Sequence, residues 1–231
     1  MGRASAVLAV VAALAAYDTI HARLWSASDW WDVTFIAVVL IPASFALVWL
    51  VLPLRTARGL LPVGGALAVL TYALHVAGWH TPENVVKLFA VTLIGFWFLG
   101  YFETAGWVVL VSLIVPWVDA YSVWKGPTKV IVTHHVRVFT TLSYAFPVPG
   151  EHTAANLGLP DLLFFALFLA AAARFALRPG WTWLGLTASF GATIALTMAF
   201  DLRGLPALPL LSLGFLAPNA DLLWTRLRVP R

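Results

Sequence analysis

The chain has 231 residues, of which 61% are apolar and 10% charged, and its mean hydropathy is +0.90. Ordinary soluble domains carry about 25% charged residues, so this balance excludes a disordered chain, a coiled coil and almost any water-soluble enzyme. No cysteine is present, which excludes disulfides and a thiol nucleophile, and the net charge of +4 is scattered between apolar blocks rather than gathered as a nucleic-acid footprint.

A membrane-spanning helix needs about 20 mostly apolar residues. Read in chain order, eight segments qualify: Ala4–Ile20, Thr34–Leu54, Leu60–Trp79, Asn84–Gly100, Ala105–Trp124, Ala154–Leu177, Trp181–Phe200 and Leu205–Leu223. Lipid cannot hydrogen-bond a bare backbone, so these runs are expected as helices. The expectation is an all-α, polytopic transmembrane helix bundle of about eight spanning helices, a multi-pass integral protein of the cell membrane. It forms one domain over residues 1–231, with N-terminal helices over 1–104 and the chemistry over 105–231.

The first segment has Arg3, a short apolar stretch and small residues near Ala13-Leu14-Ala15, the marks of a signal peptide. With no soluble domain behind it, a retained helix is the favoured reading. Arg55-Thr56-Ala57-Arg58-Gly59, Gly78-Trp79-His80-Thr81-Pro82-Glu83 and Arg178-Pro179-Gly180 punctuate the apolar runs. The twelve Trp cluster near many segment ends, as an aromatic belt does. Eight Lys and Arg fall on one side and six on the other, too even a split to set orientation.

One long connection, Lys125 to Thr153, interrupts the series. Its stretch Lys129–Leu142 is rich in Val, Ile, Thr and Phe, which suggests strand or amphipathic character. His134-His135 lies within it. Adjacent side chains diverge and zinc takes three or four ligands, so a solvated or gating role is expected there, not a metal. No metal or other cofactor is expected anywhere in the chain. His75, inside an apolar helix, is expected as a hydrogen-bonded interhelical group. Gly185 and Gly191 are expected as helix-packing contacts.

Two acids stand out. A carboxylate at the middle of a spanning helix costs about 2.5–3.5 kcal/mol, so an acid that persists there points to function. Asp119 lies about five residues before the end of its helix, or roughly 7–8 Å. Asp161 lies about seven residues into the next, or roughly 10 Å. The two helices are antiparallel and joined by the long loop, so both carboxyls fall at similar depth. Two carboxyls in contact cannot both ionise easily, and the pair then holds one proton near neutral pH. An ionised member can take a proton from water while the protonated member donates to a carbonyl. The plain alternative is two acids in separate interfacial or packing roles. Gly158-Leu159-Pro160 leads into Asp161, and Pro160 disfavours helix before it, so the helix is expected to begin at or just after Pro160 with Asp161 in its first turn. Pro206 and Pro209 bracket Ala207 and Leu208, which is expected to keep that strip extended and unpaired, fit to hold an extended peptide.

The order of these motifs resembles the presenilin and signal-peptide-peptidase family of intramembrane aspartyl proteases. That family has Tyr-Asp in one helix, Gly-x-Gly-Asp in the next and Pro-Ala-Leu before the last. The corresponding residues are Val118-Asp119, followed by Ala120-Tyr121-Ser122-Val123 and Lys125-Gly126-Pro127, then Gly158-Leu159-Pro160-Asp161, then Leu205-Pro206-Ala207-Leu208-Pro209. The resemblance runs from about Ala105 to the C-terminus. Val118 stands where the family has Tyr, Pro160 stands where it has Gly, and eight helices are counted where it usually has nine. The resemblance implies hydrolysis of peptide bonds in transmembrane segments, with Asp119 and Asp161 as the catalytic dyad. Gly158, Leu159, Pro160, Pro206, Ala207 and Leu208 would then support substrate. The implied partners are a transmembrane peptide or protein and the bilayer, with no accessory subunit required and no nucleic acid. Two other readings compete: a proton-coupled transporter, which intramembrane acids and broken helices also suit, and a catalytically silent relative that binds membrane helices, which Pro160 suits.

Overall fold

The computed structural model describes residues 2–26, 28–126, 140–202 and 204–228. The chain is mostly helical. Helix α1 is Arg3–Ile20, followed by a short 3-10 turn, His21–Arg23. The next long helical rod opens with α2, Asp29–Phe35, whose first turn is capped by the Ser28 hydroxyl accepting from the Trp31 amide. It passes through a π-helical stretch, Ile36–Leu40, into α3, Ile41–Val51. Gly59, at φ +79°, turns the chain into α4, Leu60–Val76, and Gly78, at φ +73°, turns it into α5, His80–Phe98. These left-handed positions favour glycine because a Cβ would clash. Helix α6, Ala105–Trp124, carries Pro116 in its interior. Two strands follow, β1 at Ser143–Pro147 and β2 at Ala154–Gly158, paired antiparallel with Ser143 opposite Gly158 and Pro147 opposite Ala154. The remaining helices are α7, Leu159–Arg174, α8, Pro179–Ala199, α9, Leu208–Leu216, and α10, Ala220–Arg228.

Helix α7 is the centre. Its run from Phe165 to Ala172 is wholly buried. Against it stack aromatic rings from other helices: Phe45 lies 4.1 Å from Phe165, and Phe215 lies 4.9 Å from Phe168. Small residues let backbones approach, which is how helices associate where lipid removes the hydrophobic driving force. A Cβ on Gly95 would come within 2.9 Å of the Leu163 carbonyl oxygen, which places α5 tightly on α7. Gly185 and Gly214 meet face to face where α8 crosses α9, and a Cβ on Gly185 would lie 2.5 Å from the Gly214 oxygen. A Cβ on Gly191 would come within 3.1 Å of Ala37. Gly185 and Gly191 are therefore packing positions.

The outside of the molecule is apolar. Val38, Val69, Trp117 and Leu213 are all exposed. So continuous a greasy surface suits an apolar surrounding. Among the described residues, five helical stretches are long and apolar enough to cross a membrane: Arg3–Arg23, Asp29–Thr56, His80–Tyr101, Ala105–Trp124 and Pro179–Ala199. The other expected spans come out shorter or broken. Leu60–Trp79 becomes Leu60–Val76, because Gly78 turns the chain. Ala154–Leu177 divides: Ala154–Gly158 is strand, and helix begins only at Leu159. Leu205–Leu223 breaks at the 3-10 turn Ala217–Asn219, where Pro218 interrupts the ladder between α9 and α10. The strand character expected over Lys129–Leu142 lies, with Pro127, His134, His135 and Arg137, largely outside the described residues; the strand that is described starts at Ser143.

Candidate active site

Asp161 is the third residue of α7. Gly158 is the helix N-cap, with Leu159 and Pro160 occupying the first two helical positions. Pro160 fits there because its missing N–H would have no intrahelical partner, and its ring presets a helical φ. The Asp161 carboxylate reaches back to accept from the Gly158 amide. This is one half of a capping box, with aspartate in place of the longer acid. A Cβ on Gly158 would sit 3.1 Å from Asp161 Oδ2, so the bare glycine leaves room for the carboxylate to fold back. Asp161 is partly buried. It sits about two residues into its helix rather than seven, because β2 takes the first five residues of the expected span.

Asp119 projects from α6, one turn beyond Pro116, and is also partly buried. Its Oδ2 accepts the Leu208 amide at 3.0 Å, and the Ala207 amide also donates to the carboxylate. Ala207 is the N-cap of α9 and Leu208 its first residue. Asp119 thus caps a helix from another part of the chain, where both the free amides and the helix dipole favour an anion. Pro206, Ala207 and Leu208 are buried. The strip expected to be unpaired therefore has two of its amides engaged by Asp119, and Ala207 has already turned to a helical conformation, φ −85° and ψ −29°.

Two helix N-termini, of α7 and α9, thus each hold one of the two aspartates, and Asp119 lies within electrostatic reach of Asp161. Packing brings the supporting helices together, since α6 touches both α7 and α9. Chemically, the arrangement offers two carboxyls held by neutral backbone amides, with no Lys or Arg acting on either one among the described residues. A groove of about 710 Å³ lined by Trp49, Arg178, Trp181 and Trp183 lies elsewhere, and neither aspartate lines it.

The β hairpin adjoins this site directly. Gly158 ends β2 and caps α7, and the Leu159 amide donates to the Leu142 carbonyl. On its far side β1 is held by a side chain acting as a strand: Asn84 Nδ2 donates to the Ala145 carbonyl at 2.7 Å, and the Ala145 amide donates to Asn84 Oδ1 at 3.0 Å. Tyr144 is buried and shares a 3.0 Å hydrogen bond with Ser44 of α3. The Lys87 ammonium donates to the Ser143 carbonyl at 3.0 Å. None of these anchors was evident in the sequence, although Asn84 and Lys87 are conspicuous polar residues in an apolar helix.

Other polar residues have structural partners. Asn219 is buried, donates to Thr182 Oγ1 and the Phe215 carbonyl, and accepts from the Arg178 amide. Asp221 pairs with Arg178 at the surface. Glu103 is exposed in the turn before α6. The Asp201-Leu202-Arg203 charge pair cannot be placed, since Arg203 lies outside the described residues.

No protein-family model, curated protein or solved structure matches the chain.

Proposed function

We propose that the chain is a polytopic membrane protein and an intramembrane aspartyl protease of the presenilin and signal-peptide-peptidase type. The observation that carries this reading is the convergence of Asp119 and Asp161 at the heads of α9 and α7, within electrostatic reach and, among the described residues, with neutral amides as their donors. Motif order supports it, since Val118-Asp119, Gly158-Leu159-Pro160-Asp161 and Pro206-Ala207-Leu208 come in the family's order, with Val118 and Pro160 as departures. Backbone amides can orient a carboxylate without committing it to a counter-ion, so it remains able to exchange a proton.

In the proposed reaction the ionised aspartate takes a proton from a water molecule. The water oxygen bonds to the scissile carbonyl carbon, and the protonated aspartate gives its proton to the carbonyl oxygen. The resulting gem-diol breaks its C–N bond as the nitrogen receives a proton from the dyad. The products are a carboxylic acid and an amine. The substrate is a transmembrane helix that must unwind locally, because a helical backbone buries its own carbonyls. Among the described residues the outer edge of β2 has no strand partner in the two-stranded sheet, and it runs directly into the cap of Asp161. An unwound substrate pairing there would deliver its main chain to the acids by strand addition.

The test is cleavage of a reporter transmembrane peptide by the purified protein in liposomes. Asp119→Asn and Asp161→Asn should each lower the rate by about 10²–10⁴-fold, the usual contribution of a positioned acid or base. Cleavage at the wild-type rate by either variant would remove the dyad from the mechanism.

A second reading has one specific observation in its favour. Asp119 is engaged by the Ala207 and Leu208 amides, which gives it a purely structural task as the cap of α9. A silent helix-binding relative would keep that bond without chemistry. A dyad-directed transition-state analogue separates the two readings: binding that requires both aspartates supports the protease, and binding that ignores them supports the silent relative.

A further inference from the structure

The turn between α4 and α5 gathers a second cluster, remote in sequence from the aspartates. His75 lies in the last turn of α4, His80 begins α5, and Glu83 lies in the first turn of α5. His75 Nδ1 is 3.2 Å from Glu83 Oε2, and His80 Nδ1 is 3.3 Å from the same oxygen. One donor atom from each of the three residues lies within 4.8 Å of the others. We propose that His75, His80 and Glu83 form a divalent-cation site of zinc type, with two imidazole nitrogens and one carboxylate oxygen as ligands. This inference goes beyond the protease reading and does not depend on it.

Two of the three spacings match a coordination shell. Ligands about 2.0–2.1 Å from a tetrahedral zinc lie about 3.3–3.4 Å apart along each edge. The two histidine–carboxylate separations already have that length. Two imidazoles and a carboxylate are the donor set that borderline cations such as Zn²⁺ select, whereas Mg²⁺ and Ca²⁺ take oxygen. Three protein ligands leave a fourth position for water, and the exposure of His80 gives that position access to solvent.

The surroundings fit ligation. Lys87 Nζ sits 2.9 Å from Glu83 Oε1 and donates to the Ser143 carbonyl. The lysine therefore holds Oε1, which His75 Nδ1 also approaches at 3.3 Å, while both imidazoles face Oε2. Without a cation, both rings present an Nδ1–H to this one carboxylate. With one bound, Nδ1 becomes the ligand atom and the proton moves to Nε2. For His75 that proton has an acceptor in place, Thr141 Oγ1 at 3.5 Å. Outer hydrogen bonds of this kind fix the tautomer and orientation of a ligating histidine. A bound cation would staple α4 to α5 and brace the start of the β hairpin through Thr141 and Lys87.

The test uses the full chain, free of any affinity tag, in lipid nanodiscs, with Zn²⁺ read by calorimetry and Co²⁺ by its visible spectrum. One equivalent should bind, with the intense absorption of four-coordinate Co²⁺. His75→Ala with His80→Ala should weaken binding by more than about 100-fold, and Thr141→Val by about tenfold, in proportion to direct and outer roles. Should the double variant unfold, His80→Ala alone changes an exposed side chain and should still cost more than tenfold. Absence of stoichiometric binding by the wild type overturns the proposal. So does binding that survives loss of His75 and His80 but vanishes in His134→Ala with His135→Ala. Because the readout is cation binding, an inactive protease leaves this result fully interpretable.

Discussion

Two acids occupy the same kind of position and are treated in opposite ways. Glu83 and Asp161 each stand in the first turn of a helix, α5 and α7, where the helix dipole favours negative charge. Glu83 is surrounded by Lys87, His75 and His80. Among the described residues, Asp161 has the Gly158 amide and a second acid, Asp119, acting on it. A carboxylate held by an ammonium and two imidazoles is committed to those partners. A carboxylate held by neutral dipoles beside another acid keeps the freedom to gain and lose a proton. Under the proposed function, the surroundings, more than the side chain itself, separate a rivet from a reagent.

The comparison can be tested in order of expected effect. The largest change should come from Asp161→Asn, which removes the exchangeable proton while keeping the shape. Reporter cleavage should fall by about 10²–10⁴-fold with little change in thermal unfolding. At the other helix head the balance should reverse. Lys87→Met leaves Glu83 buried without its counter-ion and should destabilise by about 3–5 kcal/mol, measured by unfolding in detergent. Pairing it with Glu83→Gln should restore much of that loss, because the uncompensated charge is gone. Gly158→Ala probes the middle ground. The new Cβ would stand 3.1 Å from Asp161 Oδ2 without straining the backbone, whose φ is −60°. Displacing that carboxylate should cut cleavage by up to about 10²-fold while leaving the fold in place. The smallest effect is expected at Ser44→Ala, which breaks the buried bond to Tyr144 and should cost about 1 kcal/mol. Equal losses of activity in the Gly158 and Ser44 variants would erase the distinction between reagent and support.

Local signals in the sequence locate the start of α7 well. Pro160 announces a helix beginning at its own position, and the structure opens that helix at Leu159 with Asp161 in its first turn. Gly185 and Gly191 likewise read as close contacts and are found so. The failures have a common cause, which is that they depend on partners far away in the chain. Ala154-Ala155-Asn156-Leu157-Gly158 is as apolar as a helix, and only pairing with Ser143–Pro147 makes it a strand. The bond from Asp119 to the head of α9 spans 89 residues. His75 and Glu83 are only eight apart, yet the intervening Gly78 reverses the chain, and no helical or strand spacing reports that meeting.

The crossing of α8 and α9 has a mechanical consequence. With Gly185 against Gly214 and the Ser189 hydroxyl donating to the Leu210 carbonyl at 2.7 Å, α9 is wedged backbone to backbone and has no slack. Helix α6 buries only Val108 and Ser112, and Pro116 interrupts its ladder one turn before Asp119. If a substrate must pass between the two acids, α9 is the jamb and α6 the door, with the Leu208 amide as its latch.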